Sequence, residues 1–383
     1  MKKLAVVGFG ARAEGMLRNL NTFDMDTQIT AVVDQDPDGV RARLQSAGFD
    51  PGKAKFYPDV DAMLSTAGVD GVVVATNCNT HTDFAVQAMK YNLPMLLEKP
   101  VAISPEQVEK LYDASKAYKS QALISFPLRV SYICQLAKKI IDRGEIGKVQ
   151  HVEAFNNVSY GRVYYKSWYR DESITGGLFL QKATHDLDCI NYLLPGRRPV
   201  QLCAMESKQI FKGNMPAGLT CEKCERFTTC PESTRVLKND YHNEEPYGNG
   251  CSFAVDTGNH DSASVLVRYD DGMHAVYTQN FYARKSAAKR GQRLIGFDGT
   301  LEFDWVTGDL VVHYHKDMQT ATYHIDDNEL FHYGGDKALC ENFIQIMEGG
   351  RSVAPLYDGI LSAHMCLQAR ESAQTNRFMD IKL

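Results

Sequence analysis

The run Leu4-Ala5-Val6-Val7 passes without a break into Gly8-Phe9-Gly10-Ala11-Arg12-Ala13. Four apolar residues followed by two closely spaced glycines describe a buried strand that turns tightly into a helix. Few folds accommodate that junction at a chain's start. It predicts the first β–turn–α step of a parallel sheet. Short apolar runs then recur at Ile29–Val33, Gly71–Ala75, Met95–Leu97 and Ala122–Ser125. Helix-like segments separate them at Arg12–Leu20, Pro37–Ser46, Asp59–Ser65, Thr82–Tyr91 and Pro105–Tyr118. Ser104 before Pro105 supplies an N-cap followed by proline at the first helical position.

From about Lys148 the period changes. Val152, Ala154 and Asn156 alternate with His151, Glu153 and Phe155, and Ala263–Tyr269 alternates likewise before the hairpin signal Asp270-Asp271-Gly272. Strand-like stretches continue at Met273–Phe281, Leu294–Phe297 and Leu310–His315, with helices expected at Ile133–Arg143, Thr184–Leu193, Lys337–Met347 and Gly359–Ala373. At 383 residues two domains are expected. They are an N-terminal α/β domain over 1–122, with a parallel doubly wound sheet of Rossmann type, and an α+β domain over 123–383 with a large, mostly antiparallel sheet. Residues 207–258, rich in Asn, Gly, Pro and Cys, match neither pattern and read as a long excursion, a length that usually carries function or a staple.

The net charge is −5 and no basic run appears, which argues against nucleic acid as a partner. No apolar stretch reaches membrane-spanning length, so no membrane association is expected. Met1-Lys2-Lys3 precedes an apolar segment, but that segment breaks at Gly8, so it does not read as a signal peptide. A reducing cytoplasm is expected, with free thiols at the six cysteines scattered outside the excursion.

In Gly8-x-Gly10-x-x-Ala13 the first glycine permits the tight turn, the second lets backbone approach a pyrophosphate, and Ala13 takes the close-packing third place. Phe9, Ala11 and Arg12 complete that turn. Asp34, ending the next strand, can accept hydrogen bonds from an adenosine ribose and repels a 2′-phosphate, which favours NAD. Arg41 and Arg43 nearby leave NADP open. After the third apolar strand, Thr76, Asn77 and Asn79 suit ribose and phosphate contacts, and His81 reads as a cofactor neighbour, a helix cap or a packed histidine. Glu98-Lys99-Pro100 follows the strand Met95–Leu97, at the end where a dinucleotide crevice opens.

The order of these elements resembles the glucose–fructose oxidoreductase/inositol dehydrogenase/MocA family. The likeness runs through Asn79-Thr80-His81, Glu98-Lys99-Pro100, Arg143-Gly144-Glu145-Ile146-Gly147-Lys148, Gly176-Gly177 and His185-x-x-Asp188. It continues through Gly296-x-x-Gly299-Thr300-Leu301 to His332-x-Gly334-Gly335-Asp336. The resemblance implies a Rossmann domain, an open-faced sheet in the second domain, a nicotinamide cofactor and a sugar or polyol substrate. It implies that Lys99 polarises the reacting oxygen, and that the bond before Pro100 is cis.

Oxidation of a secondary alcohol needs a hydride acceptor, a base and an oxygen-polarising donor. His185 titrates near neutrality and is the natural proton shuttle. Gln181, Lys182, His185 and Asp188, spaced i, i+1, i+4 and i+7, share one stripe of a regular helix. Many relatives carry Asp four residues before this histidine. Gln181 can orient an imidazole but adds no charge to stabilise imidazolium, and Lys182 beside it disfavours the charged form. Arg129, Tyr160, Tyr164, Tyr165, Trp168, Tyr169 and Arg170 form a candidate sugar-binding group at the entry to the second domain. The expected activity is NAD-dependent hydride transfer to or from a secondary hydroxyl or keto group of a sugar, cyclitol or sugar acid. Redox-neutral glycoside cleavage and a non-catalytic sugar sensor are the alternatives. A homodimer or homotetramer is expected, because an open sheet face usually finds a partner.

Cys221-x-x-Cys224-x5-Cys230 with Cys251 places four sulfurs in the excursion. Two thiolates two residues apart can chelate and four can close a tetrahedral shell, so structural zinc is expected. An iron–sulfur cluster, unliganded thiols and disulfides are the alternatives.

Overall fold

A computed structural model describes residues 1–240, 248–326 and 331–383. The chain divides into two compact units, Met1–Leu136 with Asp326–His364, and Ala137–Ile325 with Met365–Leu383. This grouping differs from the contiguous division at 122/123. The physical reason lies in the helix Gly335–Met347. The thiol of its buried Cys340 donates to the Met16 carbonyl at 3.4 Å, which ties it to the N-terminal helix.

In the first unit six strands form one parallel sheet in the order β3-β2-β1-β4-β5-β6. They are β1 (Lys2–Val7), β2 (Thr27–Val33), β3 (Lys55–Phe56), β4 (Gly71–Val74), β5 (Met95–Leu97) and β6 (Ala122–Ile124). Five of the six follow the apolar runs of the sequence. The two-residue β3 carries no pattern of its own. Helices α1 (Ala11–Thr22), α2 (Pro37–Ser46), α3 (Val60–Thr66), α4 (His81–Met89) and α5 (Pro105–Ser115) alternate with the strands. Leu4–Val7, Val72–Val74 and Met95–Leu97 are fully buried, as strands covered on both faces must be. Strand order reverses at β1, which has β2 on one side and β4 on the other. That reversal opens a crevice beyond the carboxyl ends of β1 and β4.

The second unit is built on nine strands in the order β14-β13-β12-β11-β7-β10-β9-β8-β15. These are β7 (Val149–Asn157), β8 (Pro199–Ser207), β9 (Ser262–Tyr269), β10 (His274–Asn280), β11 (Lys289–Gly296), β12 (Gly299–Asp304), β13 (Asp309–Tyr314), β14 (Thr320–His324) and β15 (Met379–Asp380). Every pairing is antiparallel except β7 with β10. Along β9 burial alternates residue by residue, so one face packs inward and the other is open. The turn between β9 and β10 is closed by the Gly272 N–H on the Tyr269 carbonyl at 3.0 Å, with Gly272 at φ +89°.

Residues 241–247 of the 207–258 excursion lie outside the described residues. The rest is ordered by local structure that the sequence does not announce. A helical segment runs over Thr234–Asp240. Two isolated bridges, Met215 with Ala254 and Thr220 with Gly250, tie its two limbs together. Among the described residues no helix is long and apolar enough to cross a membrane.

Candidate active site

In the first unit the candidate residues gather at the carboxyl ends of β1, β2, β4 and β5. Gly8 sits at φ +80°, and a Cβ there would fall 2.7 Å from the Thr76 methyl and 2.9 Å from the Ala75 carbonyl. Only glycine fits where β1 and β4 come that close. Gly10 faces open space and caps α1 without a side-chain hydrogen bond, so the first N–H groups of the helix point outward. Ala13 is buried against the sheet, as the close-packing third position requires.

Asp34 stands just beyond β2. One of its oxygens accepts the Phe9 N–H at 2.8 Å and the other the Asp36 N–H at 2.8 Å. Its carboxylate is thus fixed beside the glycine turn, with lone pairs left for a hydroxyl. Arg43 does not stand free beside it. Its Nε donates to the Phe9 carbonyl at 2.7 Å and its head group reaches Asp36 at 3.3 Å. Arg41 lies over the Phe56 ring at 4.3 Å.

Beyond β4, the Thr76 and Thr80 hydroxyls share a hydrogen bond of 2.8 Å, and the Asn79 carbonyl accepts from Gln107 at 2.7 Å. Asn77 is exposed at the start of this turn. His81 is buried, with Nδ1 2.8 Å from the Pro100 carbonyl and Nε2 3.0 Å from the Thr76 carbonyl. It therefore ties together the two loops that flank the crevice. Burial holds the imidazole below its ordinary pKa despite those carbonyls.

The Lys99–Pro100 bond is cis. Lys99 is half-buried immediately after β5. Glu98 and Arg12, both read from the sequence as cofactor neighbours, are engaged with each other. Arg12 Nε donates to Glu98 at 2.8 Å, and the rest of the guanidinium reaches Asp336 at 2.7 and 2.8 Å and Ser125 at 3.1 Å. Ser125 also donates to Glu98 at 2.9 Å. These side chains brace the base of the turn that carries Lys99. Asp336 was visible in the sequence only as the end of His332-x-Gly334-Gly335-Asp336.

Arg129 belongs to the first unit, and Tyr160, Tyr164, Trp168 and Arg170 belong to the second. The buried Arg129 guanidinium donates to Asp358 at 2.7 Å and to the Val353 carbonyl at 3.0 Å.

In the second unit a π-helical turn, Phe179–Ala183, leads into the helix Thr184–Leu193. The wider turn changes the helical phase ahead of His185 relative to a regular helix. Gln181 sends its amide to the Thr175 carbonyl at 2.8 Å. Lys182, His185 and Asp188 are all buried. Lys182 contacts the phenol oxygen of Tyr160. The carboxylate that sequence reasoning missed is Asp186. It receives Arg290 Nε and Nη2 at 2.8 and 2.9 Å, Tyr277 at 2.9 Å and Asn156 at 3.1 Å. An arginine on β11 gave no local signal of that pairing.

Of the aromatic group, Tyr164 and Tyr165 sit in a core cluster with Val158, Leu178, Phe211 and Phe281. Trp168 is exposed and stacks on Tyr169 with ring centroids 4.0 Å apart. Arg170 is held by Asp256 at 2.7 Å and Thr257 at 2.8 Å.

Cys221, Cys224, Cys230 and Cys251 line one cavity with Phe227 and Phe253. Among the described residues, however, no three His, Cys, Asp or Glu side chains are arranged to hold a metal ion. The zinc expectation and the iron–sulfur alternative therefore find no ligand set in this structure. The Cys221 sulfur instead accepts from Lys166 Nζ at 3.1 Å, and all ten cysteines are free thiols.

The turn after β1, the fixed carboxylate after β2 and the Gly8 cradle fit a dinucleotide: phosphate on α1, ribose on Asp34. When bound, such a cofactor supplies the hydride acceptor or donor. Lys99 carries an N–H donor for an oxygen beside it, and His185 carries an imidazole.

Residues 2–126 match the oxidoreductase family with an NAD-binding Rossmann fold, and residues 134–302 match the Gfo/Idh/MocA C-terminal domain. A putative oxidoreductase, YteT, of Bacillus subtilis is 25% identical over 382 residues, covering 89% of this chain and 88% of its own. The scyllo-inositol 2-dehydrogenase (NAD(+)) of the same organism is 26% identical over 200 residues, 50% of this chain and 54% of its own. The chain thus matches only about half the length of that dehydrogenase. Among solved structures, a levoglucosan dehydrogenase in complex with NADH and levoglucosan aligns over 100% of both chains, at TM-score 0.77 and 18% identity. A myo-inositol 2-dehydrogenase from Lactobacillus plantarum aligns over 100% of this chain and 99% of its own, at TM-score 0.73 and 18% identity. With family models for both domains matched in order over residues 2–126 and 134–302, the chain is a member of the Gfo/Idh/MocA family of NAD-binding oxidoreductases.

Proposed function

We propose that the protein oxidises a secondary hydroxyl of a sugar, cyclitol or sugar acid, or reduces the matching ketone, with NAD in preference to NADP. Lys99 polarises the reacting oxygen and His185 carries the hydroxyl proton. The observation that carries this reading is the placement of Lys99. It follows β5, on a turn braced by the Arg12–Glu98 pair at 2.8 Å, beside a crevice whose glycine cradle and carboxylate suit a dinucleotide. The names of the inositol and levoglucosan dehydrogenases support the polyol class.

The experiment is a panel of myo-inositol, scyllo-inositol, levoglucosan and nitrophenyl glycosides. NADH formation from a polyol supports dehydrogenation. Aglycone release without net NADH overturns it in favour of redox-neutral cleavage, and NAD binding with neither reaction overturns it in favour of a sensor. Lys99→Ala is expected to abolish turnover and leave the NAD dissociation constant within about twofold, because the lysine faces the substrate oxygen.

Oligomerisation and a cytoplasmic setting belong to the same proposal. Met205 and Leu266 are exposed on neighbouring strands β8 and β9, which favours a partner on that sheet face. Ten free thiols suit a reducing compartment. Light scattering reads the first and fractionation the second.

A further inference from the structure

Lys182 occupies the π-helical turn one turn ahead of His185, with 6% of its surface exposed. A buried lysine ordinarily pairs with a carboxylate, because an ammonium taken out of water without one is costly. Here the nearby carboxylate is taken. Asp186 accepts four hydrogen bonds, two from Arg290 and one each from Tyr277 and Asn156. Among the described residues Lys182 makes no ion pair. Its Nζ meets the phenol oxygen of Tyr160, and the rings of Tyr160 and Tyr164 lie 4.3 and 5.3 Å from it. Tyr160 is 44% exposed, so the contact runs from a dry interior to the surface of the unit.

The charged groups around Lys182 come from three elements. Asp186 lies on its own helix, Arg290 on β11, and Tyr160 and Tyr164 on the segment after β7. Burial and the Arg290 cation disfavour the ammonium, Asp186 opposes them, and the balance holds the amine well below the ordinary lysine pKa. A methionine would fill the same space without that cost. A buried amine facing a phenol rather than an anion has the arrangement of an acid–base pair.

We propose that Lys182 accepts the phenol proton of Tyr160, and that the two form a relay through which Tyr160 takes the proton of the substrate hydroxyl. The proposal rests on the dehydrogenase reading above and moves the proton-accepting role in it from His185 to Tyr160. Dehydrogenation takes a hydride from carbon, which NAD+ accepts, and a proton from oxygen. In the relay the substrate O–H bond breaks and its proton bonds to Tyr160 Oη, while the proton already on Tyr160 passes to the lone pair of Lys182. The carbinol becomes a ketone, and Lys182 ends the step as an ammonium that returns its proton to solvent through Tyr160. The relay needs no imidazolium, the species that Gln181 cannot stabilise by charge.

The test uses the full chain with lysines labelled by carbon-13 at Cε, titrated by NMR without cofactor. The Lys182 signal is the one missing from both Lys182→Met and Lys182→Arg, so one folded variant suffices to assign it. It is expected to titrate well below every other lysine, and Tyr160→Phe is expected to move that titration. Titration with the surface lysines, or a midpoint indifferent to Tyr160→Phe, overturns the relay. With a polyol that yields NADH, Tyr160→Phe should lower kcat about 100-fold with KM little changed. A loss confined to KM overturns the proton role. If no polyol yields NADH, the dehydrogenase reading fails, and the lysine titration still reports separately whether the Lys182–Tyr160 pair exists.

Discussion

Arg12 grips Asp336 with two hydrogen bonds of 2.7 and 2.8 Å across a separation of 324 residues. The same guanidinium holds Glu98, so one arginine neutralises two buried carboxylates. Burial alone would raise the Asp336 pKa. The charge and hydrogen bonds of Arg12, with help from His332 at 3.0 Å, outweigh it and hold Asp336 well below the usual carboxylate range. A carboxylate depressed in the folded state stabilises fully above its unfolded pKa of about 3.9, and that contribution is lost as pH falls through the folded value. Arg12→Met leaves both carboxylates without their counter-ion. We expect it to lower urea stability at pH 7 by about 3 kcal/mol. Asp336→Asn should flatten the acid limb of a stability–pH curve. A wild-type acid limb in Asp336→Asn would remove the pair from the account.

His81 gives a pH signature of the same sign in a higher window. Its ring lies between two carbonyls, 2.8 and 3.0 Å away, yet burial keeps the imidazole below its ordinary pKa. The unfolded chain then binds a proton that the folded chain refuses. The contribution of His81 therefore weakens as pH falls through the unfolded value near 6.5 and is restored above it. His81→Leu should remove that dependence. It should also weaken NAD binding about tenfold, since the loops carrying Thr76 and Pro100 lose their tie. Calorimetry of NAD binding checks the second effect, and unchanged affinity would confine His81 to packing.

Asp34 sets the cofactor prediction. Its two oxygens are already oriented by Phe9 and Asp36, which aims the remaining lone pairs at a ribose. NAD should bind at least tenfold more tightly than NADP, and Asp34→Asn should narrow the gap by relieving repulsion of a 2′-phosphate. Tighter NADP binding by the wild type would refute this. Arg43 offers NADP little, because Phe9 and Asp36 already hold its guanidinium.

Much of the fold was legible because its signals are local. The runs from Leu4–Val7 to Met95–Leu97 are apolar because both sheet faces are covered, and β9 alternates because one face is open. What escaped was long-range or geometric. Glu98 follows a strand beside Lys99, so sequence order suggested the cofactor. Its side-chain partners Arg12 and Ser125, distant in sequence, are brought to it by the fold. The π-helical turn at Phe179–Ala183 leaves no mark on composition, so a regular helix was expected there. The four cysteines do reach one cavity, but spacing along a chain does not set the angles between sulfurs.

The final prediction concerns how the cysteine-rich excursion is held. Lys166 is buried, and its Nζ donates to Cys221 Sγ at 3.1 Å and to the Gly250 carbonyl at 3.3 Å. Its carbonyl in turn accepts the Gly250 N–H at 3.0 Å. One residue thus clamps both limbs of the excursion, where Thr220 bridges Gly250. The approach is close: a Cβ on Gly250 would fall 2.3 Å from Arg170 and 2.9 Å from the Lys166 carbonyl. Lys166→Met keeps the apolar stem but removes both side-chain hydrogen bonds. Leaving the part-buried Gly250 carbonyl without this donor costs about 1 kcal/mol. Gly250→Ala should cost at least as much, because two backbones must separate. Both variants should speed proteolysis within 207–258 while NAD affinity at the Gly8–Ala13 turn stays within twofold. Elemental analysis of the wild type decides the remaining question in the same experiment. If the Lys166 contact orders the excursion, chelation should leave its proteolysis rate unchanged. A rate that rises on chelation, with one zinc released per chain, would show that a metal does so instead.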